Sequence, residues 1–358
     1  MKSLVVASIL SVAAFSAHAV APTHYSVAYL NGLVGSDLNN SGQVVGGFIS
    51  GANSGLAGVY YKGVAQTIAG LDEPGFAYGI NNAGQIVGQS GWNNQNSFKY
   101  SGGSITMLNQ TPGAETFAAT DIDGAGNVAG TIVRDYGNSG FYAVQMAKYV
   151  DGTIFTENLG GQVTRVFGVS EGGIMYGHTS TPDGLVAFTY ENGTVTEYSS
   201  VLGNFSAIGG VNDHGQMVGI NMGASNFPSY FISEGVPRYA GDNIGLGGLN
   251  NAGWAVGFKN LVAEDGSVST GTGLLWIDGV SYDLNALIDP ALGWTITSAT
   301  KINDGNQILA EGCNASGCGS VLLSPLAAVP EPETYGMMLL GIGTVGLIAR
   351  RRRKVATV

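Results

Sequence analysis

A short alternation of apolar and polar positions recurs along this chain. An apolar residue is followed by a polar turn, then by adjacent apolar residues and a small residue. The copies are Leu38–Gly46 (LNNSGQVVG), Ile80–Gly88 (INNAGQIVG), Ile122–Gly130 (IDGAGNVAG), Val169–Gly177 (VSEGGIMYG), Val211–Gly219 (VNDHGQMVG), Leu249–Gly257 (LNNAGWAVG) and Ile302–Ala310 (INDGNQILA). Their second residues are spaced by 42, 42, 47, 42, 38 and 53 positions. That period is close to the length of one four-stranded propeller blade. Each copy predicts a strand end, a hairpin turn and a new strand. Asn, Asp and Gly at the turn are expected to supply its left-handed backbone, with Asn306 replacing Gly at that position in the last copy. Adjacent apolar residues, as in Val44-Val45, Ile86-Val87 and Met217-Val218, predict a strand covered on both faces.

A second pair of short strands follows each hairpin. The pairs begin near Val59, Ser97, Ala147, Ala187, Ser229, Leu274 and Ser320. Six continue through a Gly turn to a further strand, but the seventh ends at Ser324-Pro325. One outer strand is thus missing at the C-terminal end of the array. One orphan strand, His24–Leu30, stands before the first unit. Pairing it with Ser320–Leu323 would close seven complete blades. The expected fold is therefore all-β, a seven-bladed β-propeller closed by its N-terminal strand, rather than an open solenoid whose ends need caps.

The units resemble the HAF repeat of bacterial extracellular proteins. The resemblance covers nearly all of residues 23–325. It is strong at Ile80, Asn81, Gly84, Gln85 and Gly88 and at Ala187-Phe188. It is weak at the family's Asp-Leu-Gly element, echoed in Tyr282-Asp283-Leu284 and Asn158-Leu159-Gly160, and the His of the family's name is absent. The resemblance implies a secreted β-rich repeat protein and no established chemistry.

Both ends of the chain have a different character. Residues 1–19 carry Lys2, an apolar run from Leu4 to Phe15 and the triplet Ala17-His18-Ala19. That order predicts a secretory signal peptide cut after Ala19. At the other end, Thr334–Ala349 is almost wholly apolar and is followed by Arg350–Lys354, a run of five cations. Sixteen helical residues span ~24 Å, and snorkelling arginines can complete a membrane crossing. The basic cluster would then lie in the cytoplasm, with everything before it outside. The segment from Val329, VPEPETYGMMLLGIGTVGLIARRRRK, resembles the PEP-CTERM sorting signal. The resemblance implies recognition of Pro330, Glu331 and Pro332 by an exosortase and removal of the tail. The expected domains are 1–19, signal peptide; 20–328, propeller; and 329–358, sorting signal with a transmembrane helix over 334–349.

Only 11% of the 358 residues are charged while 44% are hydrophobic, so the 58 glycines belong to turns of a folded core rather than to a disordered chain. Between residues 20 and 329 there are 8 basic and 23 acidic side chains. This balance argues against nucleic acid or anionic lipid as a partner. Cys313 and Cys318 are the only cysteines. In an exported chain they predict a disulfide rather than a metal site, since no further Cys or nearby His completes a ligand set.

Candidate chemistry is sparse. After leader removal the histidines are His24, His178 and His214, far apart, with His214 in a repeat turn. Asp121–Asn127 (DIDGAGN) spaces its oxygens like part of a calcium loop but lacks a bidentate Glu and overlays an ordinary repeat turn. No G-x-S-x-G, H-E-x-x-H or P-loop is present, and no cofactor or metal is expected. Propeller topology places the hairpin turns on one face and the longer connections on the other: Ser90–Asn96, Gln110–Glu115, Arg134–Gly140, Asn221–Pro228, Lys259–Thr272 and Leu287–Thr297. These carry Trp92, Tyr136, Phe227 and Trp294 with Glu115, Asp135, Glu264, Asp265 and Asp289. Aromatics beside hydrogen-bonding groups form a candidate sugar-binding face, or else anchor the loops over the blade core. The expected function is an exported structural or carbohydrate-binding module. It would be tethered at the inner membrane until an exosortase processes it, then held at the cell surface or in an exopolysaccharide matrix. The alternative is a glycan-active hydrolase or lyase with its acidic residues on the loop face.

Overall fold

The computed structural model describes residues 24–71, 73–91, 96–108, 115–135, 141–159, 163–262 and 268–326. The expected leader (1–19), the Pro330-Glu331-Pro332 motif and the apolar segment 334–349 lie outside them. No helix among the described residues is long and apolar enough to cross a membrane.

His24–Leu326 is one compact unit built of seven four-stranded antiparallel sheets. Their inner strands are Leu33–Leu38, Gly75–Ile80, Glu115–Ile122, Thr164–Val169, Ser206–Val211, Ile244–Leu249 and Thr295–Ile302, which begin blades 1 to 7 in chain order. In blades 1–6 the strands follow one another outward. Blade 7 supplies three strands of its own and takes Tyr25–Tyr29 as its outer strand. Tyr25 pairs with Pro325 and Tyr29 with Val321, antiparallel. The flanking bonds Leu30 N–H to Ser320 O (3.0 Å) and Leu326 N–H to His24 O (2.9 Å) extend this seam. The expected ring closure is present, and the array ends without an unpaired edge at the join.

The core lies between blades. Val44 packs with Leu309 and Leu322 of blade 7, whereas its neighbour Val45 packs with Ala77, Ile86 and Phe98 of blade 2. Ile86 faces blade 1 and Val87 faces Phe117 and Ile132 of blade 3. Met217 faces blade 4 and Val218 faces Trp276 of blade 6. Successive side chains of a strand point to opposite sheet faces. A strand with a neighbouring blade on each face must therefore be apolar at both positions.

The closing glycine of the repeat answers to a bulge. Every inner strand slips register two or three residues before the turn, as between Gly35 and Asp37 and between Ala77 and Gly79. The bulge drives an inner-strand carbonyl toward the second strand. A Cβ on Gly46, Gly88, Gly130, Gly177 or Gly257 would collide with the carbonyl oxygen of Val34, Phe76, Ala118, Arg165 or Gly245. Blade 7 alone carries alanine here, Ala310, and its inner strand has a second register shift, between Ile296 and Ser298.

Cys313 and Cys318 are bonded to each other and face one another across the hairpin of blade 7.

Candidate functional site

The polar turns converge on the ring axis, and their most buried residues are the repeated asparagines. Asn39, Asn81, Asn212, Asn250 and Asn303 are each at most 4% exposed. The left-handed residue of each turn lies further along, at Gly42, Gly84, Gly126, Gly173, Gly215, Gly253 and Asn306. The leading asparagines therefore do not supply the left-handed backbone expected of them, although Asn306 (φ 58°) does.

They serve as latches between blades. Asn39 Oδ1 accepts from the N–H groups of Ser41 (3.1 Å) and Gln43 (3.0 Å). Its Nδ2 donates to Gln43 Oε1 (2.8 Å) and to the Asn81 carbonyl of blade 2 (3.1 Å). All four hydrogen-bonding positions of a buried carboxamide are thereby used. The same Nδ2 bond runs from Asn81 to Asp123 O, from Asn212 to Asn250 O, from Asn250 to Asn303 O and from Asn303 back to Asn39 O. The next residue of the turn forms a parallel ring at the surface. Asn40 N–H donates to Asn82 Oδ1, Asp213 N–H to Asn251 Oδ1, Asn251 N–H to Asp304 Oδ1 and Asp304 N–H to Asn40 Oδ1.

The ladder stops on both sides of blade 4. There the latch position holds Asp123, whose side chain has no N–H to give, and Ser170, which is shorter than an Asn. Asp123 accepts instead from the Asn127 amide and side chain and pairs with Lys148 (3.3 Å). Ser170 Oγ accepts from its own turn, at Ile174 N–H. Other groups cross these junctions. Asp121 Oδ2 accepts from Val169 N–H (3.0 Å) and Glu171 O from Gly124 N–H (2.9 Å). Glu171 Oε1 reaches over Gly124 to Asn82 N–H (2.7 Å), and Asp213 Oδ1 accepts from Gly172 N–H (2.6 Å).

Beneath the turns is an axial cavity of about 120 Å³. Two residues before each latch the seven blades carry Asp37, Gly79, Asp121, Gly168, Gly210, Gly248 and Lys301. The three charged members meet in the cavity with Tyr176. Lys301 Nζ lies 3.2 Å from Asp37 Oδ1, and Asp37 Oδ2 accepts from Ile80 N–H (2.9 Å). Asp121 fits because its neighbours are glycines: a Cβ on Gly79 would strike Asp121 Oδ1, and one on Gly168 would crowd Asp121 Oδ2 and Tyr176 Oη. Burial first, and then the Asp37 charge, pushes the Asp121 carboxyl up to about 7 against the pull of Lys301 and two amide bonds. Burial opposes the Lys301 charge, but Asp37, Tyr176 and Asp121 hold its ammonium above the ordinary lysine range. At the rim, burial pushes Glu171 up to about 7, with Asp213, Asp37 and Asp123 adding to it and the Asn82 bond opposing. The cavity and its rim thus bring together two carboxyls with raised pKa values and one firmly held cation. Among the described residues no group of three His, Cys, Asp or Glu is arranged to hold a metal ion.

The loop-face residues singled out from sequence are spread over several junctions. Glu115 is ion-paired with Arg134 across the first hairpin of blade 3. Trp294 packs on Tyr29, ring centres 5.8 Å apart. Asp289 caps a short 3₁₀ turn through Ala291 N–H (2.9 Å). Phe227 is 38% exposed in left-handed backbone (φ 44°). Trp92, Tyr136, Glu264, Asp265 and the side chain of Asp135 lie outside the described residues. His214 is exposed in its turn, and His178 lies on the second strand of blade 4 against Phe167. The axial cluster was not anticipated from the sequence. Its signal was three charges among four glycines at one repeat position, two residues before each latch.

No curated protein matches the chain in sequence. In fold it is similar to virginiamycin B lyase from Staphylococcus aureus, with TM-score 0.53, 12% identity and coverage of 84% of this chain and 99% of that one. It is also similar to oligogalacturonate lyase from Vibrio parahaemolyticus (0.55, 10%, 87% and 92%). A third similar fold is YCF48 bound to D1 peptide (0.51, 13%, 85% and 97%). At such identities the likeness is one of fold alone. Beyond the last blade, residues 328–354 match the PEP-CTERM protein-sorting motif, which implies an exported surface protein processed by an exosortase.

Proposed function

We propose that this protein is a structural or carbohydrate-binding module of the cell surface or of an exopolysaccharide matrix, with HAF-type units forming its blades. In this reading a leader over residues 1–19 exports the chain. The apolar segment 334–349 holds it at the inner membrane until the exosortase acts at Pro330-Glu331-Pro332. The carrying observation is the sorting motif beginning directly after a complete propeller. The use of the repeated turn residues supports a module rather than a catalyst. They are committed to blade-to-blade bonds, so a ligand would be met by the variable connections that carry Trp92, Tyr136, Phe227, Trp294, Glu115, Asp135 and Asp289, of which Glu115, Trp294 and Asp289 already bond or pack within the fold. A rigid frame displays such loops at small entropic cost.

The rival reading is a glycan-active hydrolase or lyase. Its acidic residues are expected on the loop face; the acid and base groups that do share a cavity, Asp121, Tyr176 and Lys301, lie instead beneath the hairpin turns and are the support this reading has. Two measurements test the proposal. Expressed with its exosortase, the chain should lose its tail, and Pro330→Ala with Pro332→Ala should leave it uncut in the membrane fraction. The purified propeller should bind polysaccharide on a glycan array without releasing reducing ends or unsaturated product. Turnover abolished by a single Asp or Glu substitution would establish the enzyme instead.

A further inference from the structure

Blade 4 is joined to its neighbours differently from the other blades. Five junctions carry a buried carboxamide that both accepts and donates. The junctions of blade 4 carry carboxyl groups that, when ionised, only accept. Asp121 bridges blade 3 to Val169, and Glu171 bridges blade 4 back to Asn82. These two carboxyls sit among like charges. Asp121 faces Asp37 from blade 1, Tyr176 from blade 4 and Lys301 from blade 7. Glu171 faces Asp213 from blade 5, Asp123 from blade 3 and Asp37. Lys301 is the cation within the cavity lining, and Lys148 is drawn to Asp123. The rim carboxylates Asp213 and Asp304 already accept from Asn251 Nδ2 (2.9 and 3.1 Å), and Asp304 also from Asn40 Nδ2 (2.9 Å).

We infer that the junctions of blade 4 form a proton-linked seam, in which proton uptake by Asp121 and Glu171 tightens the ring and proton loss loosens it. A protonated carboxyl keeps an oxygen that accepts the N–H of the neighbouring blade. It also removes a negative charge from a cavity that holds an excess of them. The sign follows from linkage. Both groups are held above their unfolded values, so between about pH 4 and pH 7 the folded ring binds protons that the unfolded chain does not. The stabilisation is complete at the acidic end of that window and is lost as pH rises through about 7. This direction is opposite to that of a salt-bridged carboxylate.

Hydrogen exchange on the whole exported chain tests this, with rates corrected for intrinsic pH dependence. Between pH 8 and pH 6, protection in peptides covering 80–86 and 164–173 should rise on the order of tenfold. Peptides covering 249–257 and 302–310, at carboxamide junctions, should change less than twofold. The double variant Asp121→Asn, Glu171→Gln should show the acid-state protection at both pH values. Should it fail to fold, Ser170→Asn, which supplies the missing donor toward blade 5, should raise protection near blade 4 at pH 8. Equal changes at all junctions, protection that falls on acidification, or no effect of Ser170→Asn would overturn the inference. So would calcium alone producing the full tightening at pH 8, which would assign the seam to a metal ion.

Discussion

Replacing Asn250 tests whether the repeated asparagine is a latch or a turn former. Its Nδ2 donates to Asn303 O (3.1 Å) and Asn306 Oδ1 (2.9 Å), while its Oδ1 accepts from Ala252 N–H (3.1 Å) and Trp254 N–H (2.9 Å). The residue is 3% exposed, so Asn250→Ala leaves these partners with little access to water. A net hydrogen bond contributes about 1 kcal/mol, and a buried partner left unpaired costs about 1–3 kcal/mol. The expected loss is about 3 kcal/mol. Unfolding entropy near 2 cal/mol/K per residue over roughly 300 residues converts this to a Tm drop of roughly 5 °C. Asn250→Asp keeps the acceptors, loses the donor and sets a carboxylate against the Asn303 carbonyl, so it should cost at least as much at pH 8. Ser170→Ala, at the equivalent position of blade 4, removes only a 3.3 Å bond within its own turn and should cost under about 1 kcal/mol. Scanning calorimetry of the three variants reads the series. A turn-forming role predicts the reverse: Asn250→Asp close to wild type, since Asp serves turns nearly as well as Asn. That outcome, or equal losses for Asn250→Ala and Ser170→Ala, would refute the latch.

Three further outcomes follow from the same geometry. Lys301→Met leaves Asp37, which is 8% exposed, beside Asp121 without a cation, and should cost about 2–3 kcal/mol by urea midpoint, with much of the loss recovered by adding Asp37→Asn. Gly46→Ala drives a methyl into the Val34 carbonyl and should abolish soluble expression, whereas Gly63→Ala, in open space at φ +87°, should cost only about 1–2 kcal/mol. Cys313→Ser opens a short cross-link at the tip of one hairpin and should lower stability by about 2 kcal/mol in urea without disturbing ring closure, read from unchanged far-ultraviolet circular dichroism.

Much of the architecture was legible in the chain because blades repeat. Period, turn composition and the doubled apolar pairs each report on one blade, and Val44-Val45 shows that a blade lies on either side. The missing outer strand after Ser324-Pro325 and the orphan at Tyr25–Tyr29 sufficed for the closure. The roles of the asparagines did not follow, because Asn39 and Asn306 are both frequent turn residues. Only their burial and their bonds separate a latch from a left-handed corner.

The sequence by itself determined what depends on neighbours along the chain: strand periodicity, turn positions, the blade count and the sorting motif at 328–354. The tertiary structure decided what depends on the ring being closed. Asp37, Asp121 and Lys301 stand on blades 1, 3 and 7, separated by up to 264 positions, and meet because their strands share one axis. The upward shifts of Asp121 and Lys301 are properties of that meeting. Burial and like charge act through space, and distance along the chain carries no record of them.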